Sequence, residues 1–346
     1  MGRRIACLAL CLLLLLAAGG VRTAAADGRG ADARTIADGI LAWKKCDVGA
    51  QPDGCLLNDA YLAFAGTTPG DWYPIGLGRL GIADNYAAYL AVIRDRVQER
   101  YREPGKLSAA KATEWHRAVV AIAALGGDPT DFGTYNGQPI NLIADGSYNC
   151  ALREGPGTQG LNGWIWGLIA MDTVRAEVPE NAKYPRARFI TEILRMQLTD
   201  GVNGNAFGGW VLGGYGTQSD VDMTAMAIQA LAPYYNDDTV YTYTNGNSET
   251  EVSATVRECV DAALDVLGKK QNENGGYTSW GTDNAESVAQ VIVALCSLGI
   301  DPVKDERFVT AEGKTLLDGL LAFRLPEGGF CHTAGGGWNS MANDQS

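Results

Sequence analysis

Histidine is almost absent from this chain of 346 residues: His116 and His332 are the only two. A zinc centre built from several imidazoles is excluded on that ground. Cys331 and His332 are adjacent and do not readily give two ligands to one tetrahedral ion. His116, one residue after Trp115, reads as a structural, partly exposed or hydrogen-bonded side chain. No metal and no cofactor is expected. Positive charge is scarce as well, 28 Lys and Arg against 40 Asp and Glu, for a formal net charge of −12. Such a chain is a poor partner for nucleic acid or for an anionic membrane surface. Long apolar runs are missing beyond residue 26, so no transmembrane segment is expected in the mature chain. A nucleophile elbow, a phosphate-cradling glycine loop and a Ser-His-Asp pattern are missing too.

What is present begins with a leader. Arg3 and Arg4 precede the apolar run from Ile5 to Ala18, and Ala24-Ala25-Ala26 offers a small-residue cleavage site. Residues 1–26 read as a secretory signal peptide, so the expected location is secreted or cell-surface, with residues 27–346 as the working domain. Cleavage removes three arginines and no acid, taking the formal charge from −12 to −15. Six cysteines remain, and export permits disulfides. Cys46 and Cys55 flank a Gly/Pro/Asp-rich loop and form the best candidate pair. Cys259 and Cys296 read as small buried thiols inside helices.

A weak internal repeat organises the second half. Gly208-Gly209-Trp210, Gly275-Gly276-Tyr277 and Gly328-Gly329-Phe330 each follow an amphipathic stretch, and the first two precede a small, apolar one. Such self-similarity calls for a repeat architecture. First helices are expected near Arg34, Tyr86, Asn141, Pro185, Val252 and Thr310. Second helices are expected near Asp71, Thr113, Asn162, Asp220, Asp283 and Asn339, the last cut short at Ser346. The first set carries charges such as Arg94, Arg96, Glu99 and Arg188, so one side faces water; the second set is nearly uncharged beyond its first turn and should be buried all round. Residues 235–250 read as a loop or short hairpin.

This pattern resembles the alpha-alpha toroid of the terpenoid cyclase and protein prenyltransferase superfamily over roughly Thr35 to Ser346. Gln271, Gly275 and Tyr277 match the squalene-cyclase repeat QxxxGxW with Tyr for Trp. Gly208 and Trp210 match its end, with Gln197 too far upstream; Gly328 and Phe330 match in glycine and aromatic only. The resemblance implies an all-α fold, an (α/α)6 toroid of six concentric helix pairs with its last inner helix truncated, most like the uncharacterised secreted bacterial members and similar to the barrel domain of cobalamin carriers. Further domains beyond Ser346 would fit that group.

The same resemblance supplies one catalytic candidate. Asp220-Val221-Asp222-Met223-Thr224-Ala225 stands where class II terpene cyclases carry DxDDTA, with Asp222 in the place of the proton-donating acid and Met223 replacing the third acid. Helix capping by Ser219 or Asp220, with Asp222 favoured in the first turn, accounts for the same residues. A single barrel, and export away from polyprenyl substrates, both weigh against a cyclase. A second candidate is collective. Trp72, Trp115, Trp164, Trp280 and Trp338, with Asp220, Asp222 and Asp283, all lie at or near second-helix starts, which in a toroid share one end. Singly, tryptophans wedge turns and acids cap helices; together they suggest a rim for a small-molecule or peptide ligand, cationic or polyhydroxyl rather than anionic. Three readings stand: non-catalytic binding, a cyclase-type enzyme using Asp222, and a structural spacer.

Overall fold

The computed structural model describes residues 33–346. The leader 1–26 and the start of the expected domain lie outside the described residues. Helices dominate, and the only strands among the described residues form three two-stranded antiparallel hairpins. No described helix is long and apolar enough to cross a membrane.

The charged helices come first in each pair. They are α1 (Ala33–Asp47), α4 (Tyr86–Arg102), α7 (Arg186–Arg195), α9 (Val256–Lys270) and the short α11 (Leu316–Leu321), whose one charge is Asp318, with a short α2 (Asp59–Leu62) before the second helix of the first pair. The apolar helices are α3 (Thr68–Leu80), α5 (Thr113–Ala124), α6 (Leu161–Thr173), α8 (Val221–Leu231) and α10 (Ala285–Ser297), and the short, mostly polar α12 (Ser340–Gln345) takes the sixth place. These six pack in a closed cycle: α3 on α5, α5 on α6, α6 on α8, α8 on α10, α10 on α12, and α12 back on α3. The charged helices α7, α9 and α11 pack on α6, α8 and α10. Burial follows, with Val221, Met223, Ala225, Ala227, Ile228 and Leu231 of α8 buried around its circumference, while α4 buries only Tyr89, Ile93, Val97 and Tyr101 along one stripe. The six residues of α12 are enough to touch both α3 and α10, so the helix expected to be cut short still closes the cycle.

Three first helices differ from expectation. The third is a single π-helical turn, Ala144–Tyr148, in a run of Asp145, Gly146, Ser147 and Asn149 that favours helix poorly. Its Gly146 lies so close to Trp115 that an added Cβ would come within 2.4 Å of the Trp115 Cβ. Val252 belongs to a strand, since β3 (Val240–Thr244) and β4 (Glu251–Thr255) form a hairpin, and α9 starts only at Val256 after the Thr255–Glu258 capping box. Thr310 sits in a turn closed by Thr310 and Lys314, and α11 begins at Leu316. Cys46 and Cys55 are free, exposed thiols rather than a disulfide. Backbone hydrogen bonds close their loop instead, Ala50 N to Lys45 O at 2.8 Å and Gly54 N to Gln51 O at 2.9 Å.

The Gly-Gly-aromatic turn joins three helices at once. Trp210, Tyr277 and Phe330 are fully buried. The Trp210 indole donates to Ile193 O of α7 (2.7 Å) and the Tyr277 hydroxyl to Leu267 O of α9 (3.0 Å), each on the preceding charged helix. Gln271 Nε2 donates to Gly275 O and to Phe308 O, both at 3.1 Å. Gln197 does the same to Gly208 O (2.7 Å) and Cys259 O (2.8 Å). Gln197 is therefore the counterpart of Gln271 after all; a longer loop between it and Gly208 hides the match in the sequence.

His116 is buried on α5, its Nε2 donating to Gly146 O at 2.7 Å. Burial pushes its pKa down to about 4, the carbonyl bond only partly offsetting this, so the ring is neutral and structural.

Candidate functional site

The first two turns of the helices in the cycle surround a cavity of about 600 Å³, within the usual range of about 300–1,000 Å³ for small-molecule sites. An α-helix turns about 100° per residue, so side chains four apart share a face. All six helices use that spacing toward the cavity: Thr68 and Trp72, Thr113 and Arg117, Asn162 and Trp166, Asp222 and Met226, Glu286 and Gln290, Met341 and Gln345. The tip of the hairpin β5 (Thr278–Ser279) and β6 (Thr282–Asp283) adds Ser279 and Trp280 at the mouth, and His332 comes from the turn before α12.

One part of the wall is acidic. Asp220 caps α8, its Oδ1 accepting from Met223 N at 2.8 Å, and Asp222 stands in the first turn. Ser279 Oγ lies 3.0 Å from Asp220 Oδ2 and 3.1 Å from Asp222 Oδ2. Burial pushes the Asp222 carboxyl above its ordinary range; the Ser287 and Ser279 hydroxyls pull it partly back, and the charges of Asp220 and Glu286 push it further. Neither Asp222 Oδ1 nor Ser287 Oγ has a hydrogen bond of full geometry. On α10, Glu286 holds His332 through Nδ1, with both carboxylate oxygens 2.9–3.0 Å away.

Of the two cations that line the cavity, Lys111 is exposed and Arg117 is already engaged. Arg117 Nε donates to the buried Asp71 at 2.7 Å, and its two terminal nitrogens reach Glu114 at 3.1 and 2.9 Å. Burial would raise the Glu114 carboxyl, but Arg117 and Arg100 outweigh it and hold it below its ordinary value. Between these regions Trp72 and Trp166 meet edge to face, ring centroids 5.7 Å apart.

Of the residues expected at the rim, Trp72, Asp222 and Trp280 line the cavity, and Asp220 stands just behind it through Ser279. Trp115 and Trp164 do not. Each stands midway between the two cavity-facing positions of its helix, turned about 200° away from the first of them. Trp115 is buried, donating to Tyr101 OH at 2.7 Å, and Trp164 packs on Tyr184 and Phe189. Asp283 accepts from Asn272 Nδ2 (3.1 Å) and from Thr278 at the base of the β5–β6 hairpin. Trp338 packs on Trp43 (centroids 5.5 Å) in a separate groove beside Arg324. Trp166, Asn162 and Glu286, which stand at the same second-helix starts, line the cavity too, and Arg117, Gln290 and His332 join them without having been expected there. The second and sixth residues of each helix in the cycle, or the first and fifth in α3 and α5, would have found all of these but His332.

Among the described residues no cluster of three or more His, Cys, Asp or Glu could hold a metal ion. Compared with known proteins, the chain matches no family model and no curated protein.

Proposed function

We propose that this chain is a single alpha-alpha toroid of the terpenoid cyclase and prenyltransferase type, exported to the cell surface or beyond, that binds a small polar ligand without transforming it. The toroid reading rests on the closed cycle of six helices with charged helices packed outside it. The binding reading rests on one observation: every helix of the cycle turns a pair of side chains four residues apart into one cavity, and most of these are polar. A site assembled from six separate segments is a poor fit to a mere spacer.

The cyclase reading is disfavoured by the same wall. A polyene folding through carbocations needs an apolar, aromatic enclosure. Here Asn162, Gln290, Gln345 and Glu286 stand beside Asp222, and their oxygens would trap a cation.

The test is a ligand-observed NMR screen of small polar fragments against the native protein and two cavity-filling variants. Met226→Trp blocks the wall of α8, and Met341→Trp, at a half-exposed position, blocks that of α12. Fragments that bind the native protein and lose binding to both variants support the site. Binding that ignores both variants, or an absence of any binding fragment, overturns it.

A further inference from the structure

Two hairpins of this molecule make the same turn with different residues. In β1 (Thr134–Tyr135) and β2 (Gln138–Pro139), Tyr135 pairs with Gln138; in β5 and β6, Ser279 pairs with Thr282. Each leaves two central residues, both at positive φ: Asn136 (50°) and Gly137 (74°) in the first, Trp280 (52°) and Gly281 (78°) in the second. Positive φ at both places is the mark of the type I′ turn, whose preferred pair is Asn-Gly. The first hairpin has that pair. The second has tryptophan where asparagine belongs, in a conformation that bulky side chains rarely adopt.

Packing does not compensate, because Trp280 is 80% exposed. The indole is held at the mouth of the cavity against both its backbone preference and its hydrophobicity. Such a residue points to a partner absent from the free protein.

The residue before it shows what kind. Ser279 has one hydroxyl proton and lies within hydrogen-bonding distance of two carboxyl oxygens, Asp220 Oδ2 and Asp222 Oδ2. One proton cannot serve both. The chain closes when Asp222 is itself protonated and donates to Ser279, which donates to Asp220. Asp222 then carries no charge, and the Ser287 hydroxyl remains beside its carboxyl. On the neighbouring helix α6, Asn162 Oδ1 is buried without a partner. The cavity thus offers a flat apolar surface at its mouth and uncharged polar side chains within, Asn162 and Gln290 among them.

We infer that the cavity binds a neutral pyranose-bearing saccharide, one ring stacked by its C–H face on Trp280 and its hydroxyls hydrogen-bonding the polar wall at Asn162, Asp222 and Gln290. A sugar ring has both features, an apolar face and edge hydroxyls that are donors. An ammonium ligand would want an ionised Asp222, since Glu286 is turned to His332 and Glu114 to Arg117, and an anion would find Arg117 engaged by Asp71 and Glu114, with only the exposed Lys111 left. This inference rests on the proposed binding site.

The test uses an array of neutral oligosaccharides built from gluco, galacto, manno, xylo and N-acetylhexosamine units, followed by calorimetry on the hits, with putrescine and adenosine as comparators. At least one saccharide should bind and shift tryptophan fluorescence. Trp280→Asn should raise the melting temperature yet weaken the saccharide at least tenfold, and Asn162→Ala should weaken it by a similar factor. No saccharide binding overturns the inference, and the fragment screen then judges the cavity separately. Putrescine or adenosine binding in place of saccharide, lost in Asn162→Ala, overturns the sugar but leaves the site standing. Saccharide binding unchanged in both variants moves the sugar off the cavity and overturns this assignment of the site.

Discussion

Gly275 and Gly319 meet backbone to backbone, where the turn after α9 crosses the middle of α11. A Cβ on Gly319 would lie 2.4 Å from Gly275 O, and one on Gly275 would lie 2.2 Å from Thr315 O. Gly328 approaches Gly39 in the same way, its Cβ position 3.2 Å from Gly39 O. Asp38-Gly39-Ile40-Leu41-Ala42 of α1 copies Asp318-Gly319-Leu320-Leu321-Ala322 of α11. The repeated glycine turn therefore docks on the next charged helix, and the last such turn docks on the first helix.

Alanine at Gly275 or Gly319 should destabilise the fold by about 3 kcal/mol, combining overpacking with, at Gly275, a φ of 87°. Gly76→Ala in α3, where a Cβ meets nothing within 4 Å, should instead stabilise by about 0.5 kcal/mol. Chemical denaturation of the three variants checks the order; equal effects would show that the contact is not what requires glycine.

Gln197→Ala should cost about 2–4 kcal/mol, because it leaves Gly208 O and Cys259 O without their shared donor in a dry interior. Gln271→Ala, less buried, should cost less. Thermal unfolding distinguishes this from the reading in which Gln197 plays no part in the repeat, which expects Gln271 alone to matter.

Trp280→Asn should stabilise the free protein by about 1 kcal/mol, by relieving a strained turn without losing buried area. A lowered melting temperature would mean that the indole stabilises the fold through packing and is not held for a ligand.

His116 makes stability depend on acid pH. Its folded pKa of about 4 lies below the value of about 6.5 it has when unfolded, so only the unfolded chain gains the proton between them. The contribution is complete above pH 6.5 and is lost as pH falls through 4, on the order of 3 kcal/mol. Between pH 7 and 4 the denaturation free energy of the native protein should fall more steeply than that of His116→Gln, in which an amide can keep the Gly146 bond. Parallel curves would refute a neutral buried ring.

Asp222 acts in the opposite sense. A carboxyl raised in the fold contributes stability below its ordinary range and loses it as pH rises through the raised value. Asp222→Asn should therefore gain on the native protein as pH climbs from the carboxylate range toward neutrality. If Asp222→Asn instead loses ground over that interval, the carboxyl is ionised and wanted so. Denaturation curves of both proteins across the interval decide it.

The sequence by itself determined the alternation of charged and apolar helices, because burial on one side or on all sides is written in the spacing of apolar residues. Start positions were legible where a cap marked them, at Asp220 and Asn284, and blurred at Val252 and Thr310, where strand pairing and a turn competed with helix. Tertiary structure alone decided which tryptophans reach the cavity. Trp166 and Trp164 are two residues apart, yet one faces the cavity and the other packs outward on α7. It also decided that Gln197 and Gln271 are equivalent, since loop length is free to vary while the carbonyls they bridge are fixed in space by the helices on either side. Nothing local placed Asn162 and Asp222 in one cavity either; they share it because α6 and α8 are neighbours in a cycle that closes only when the whole chain has packed.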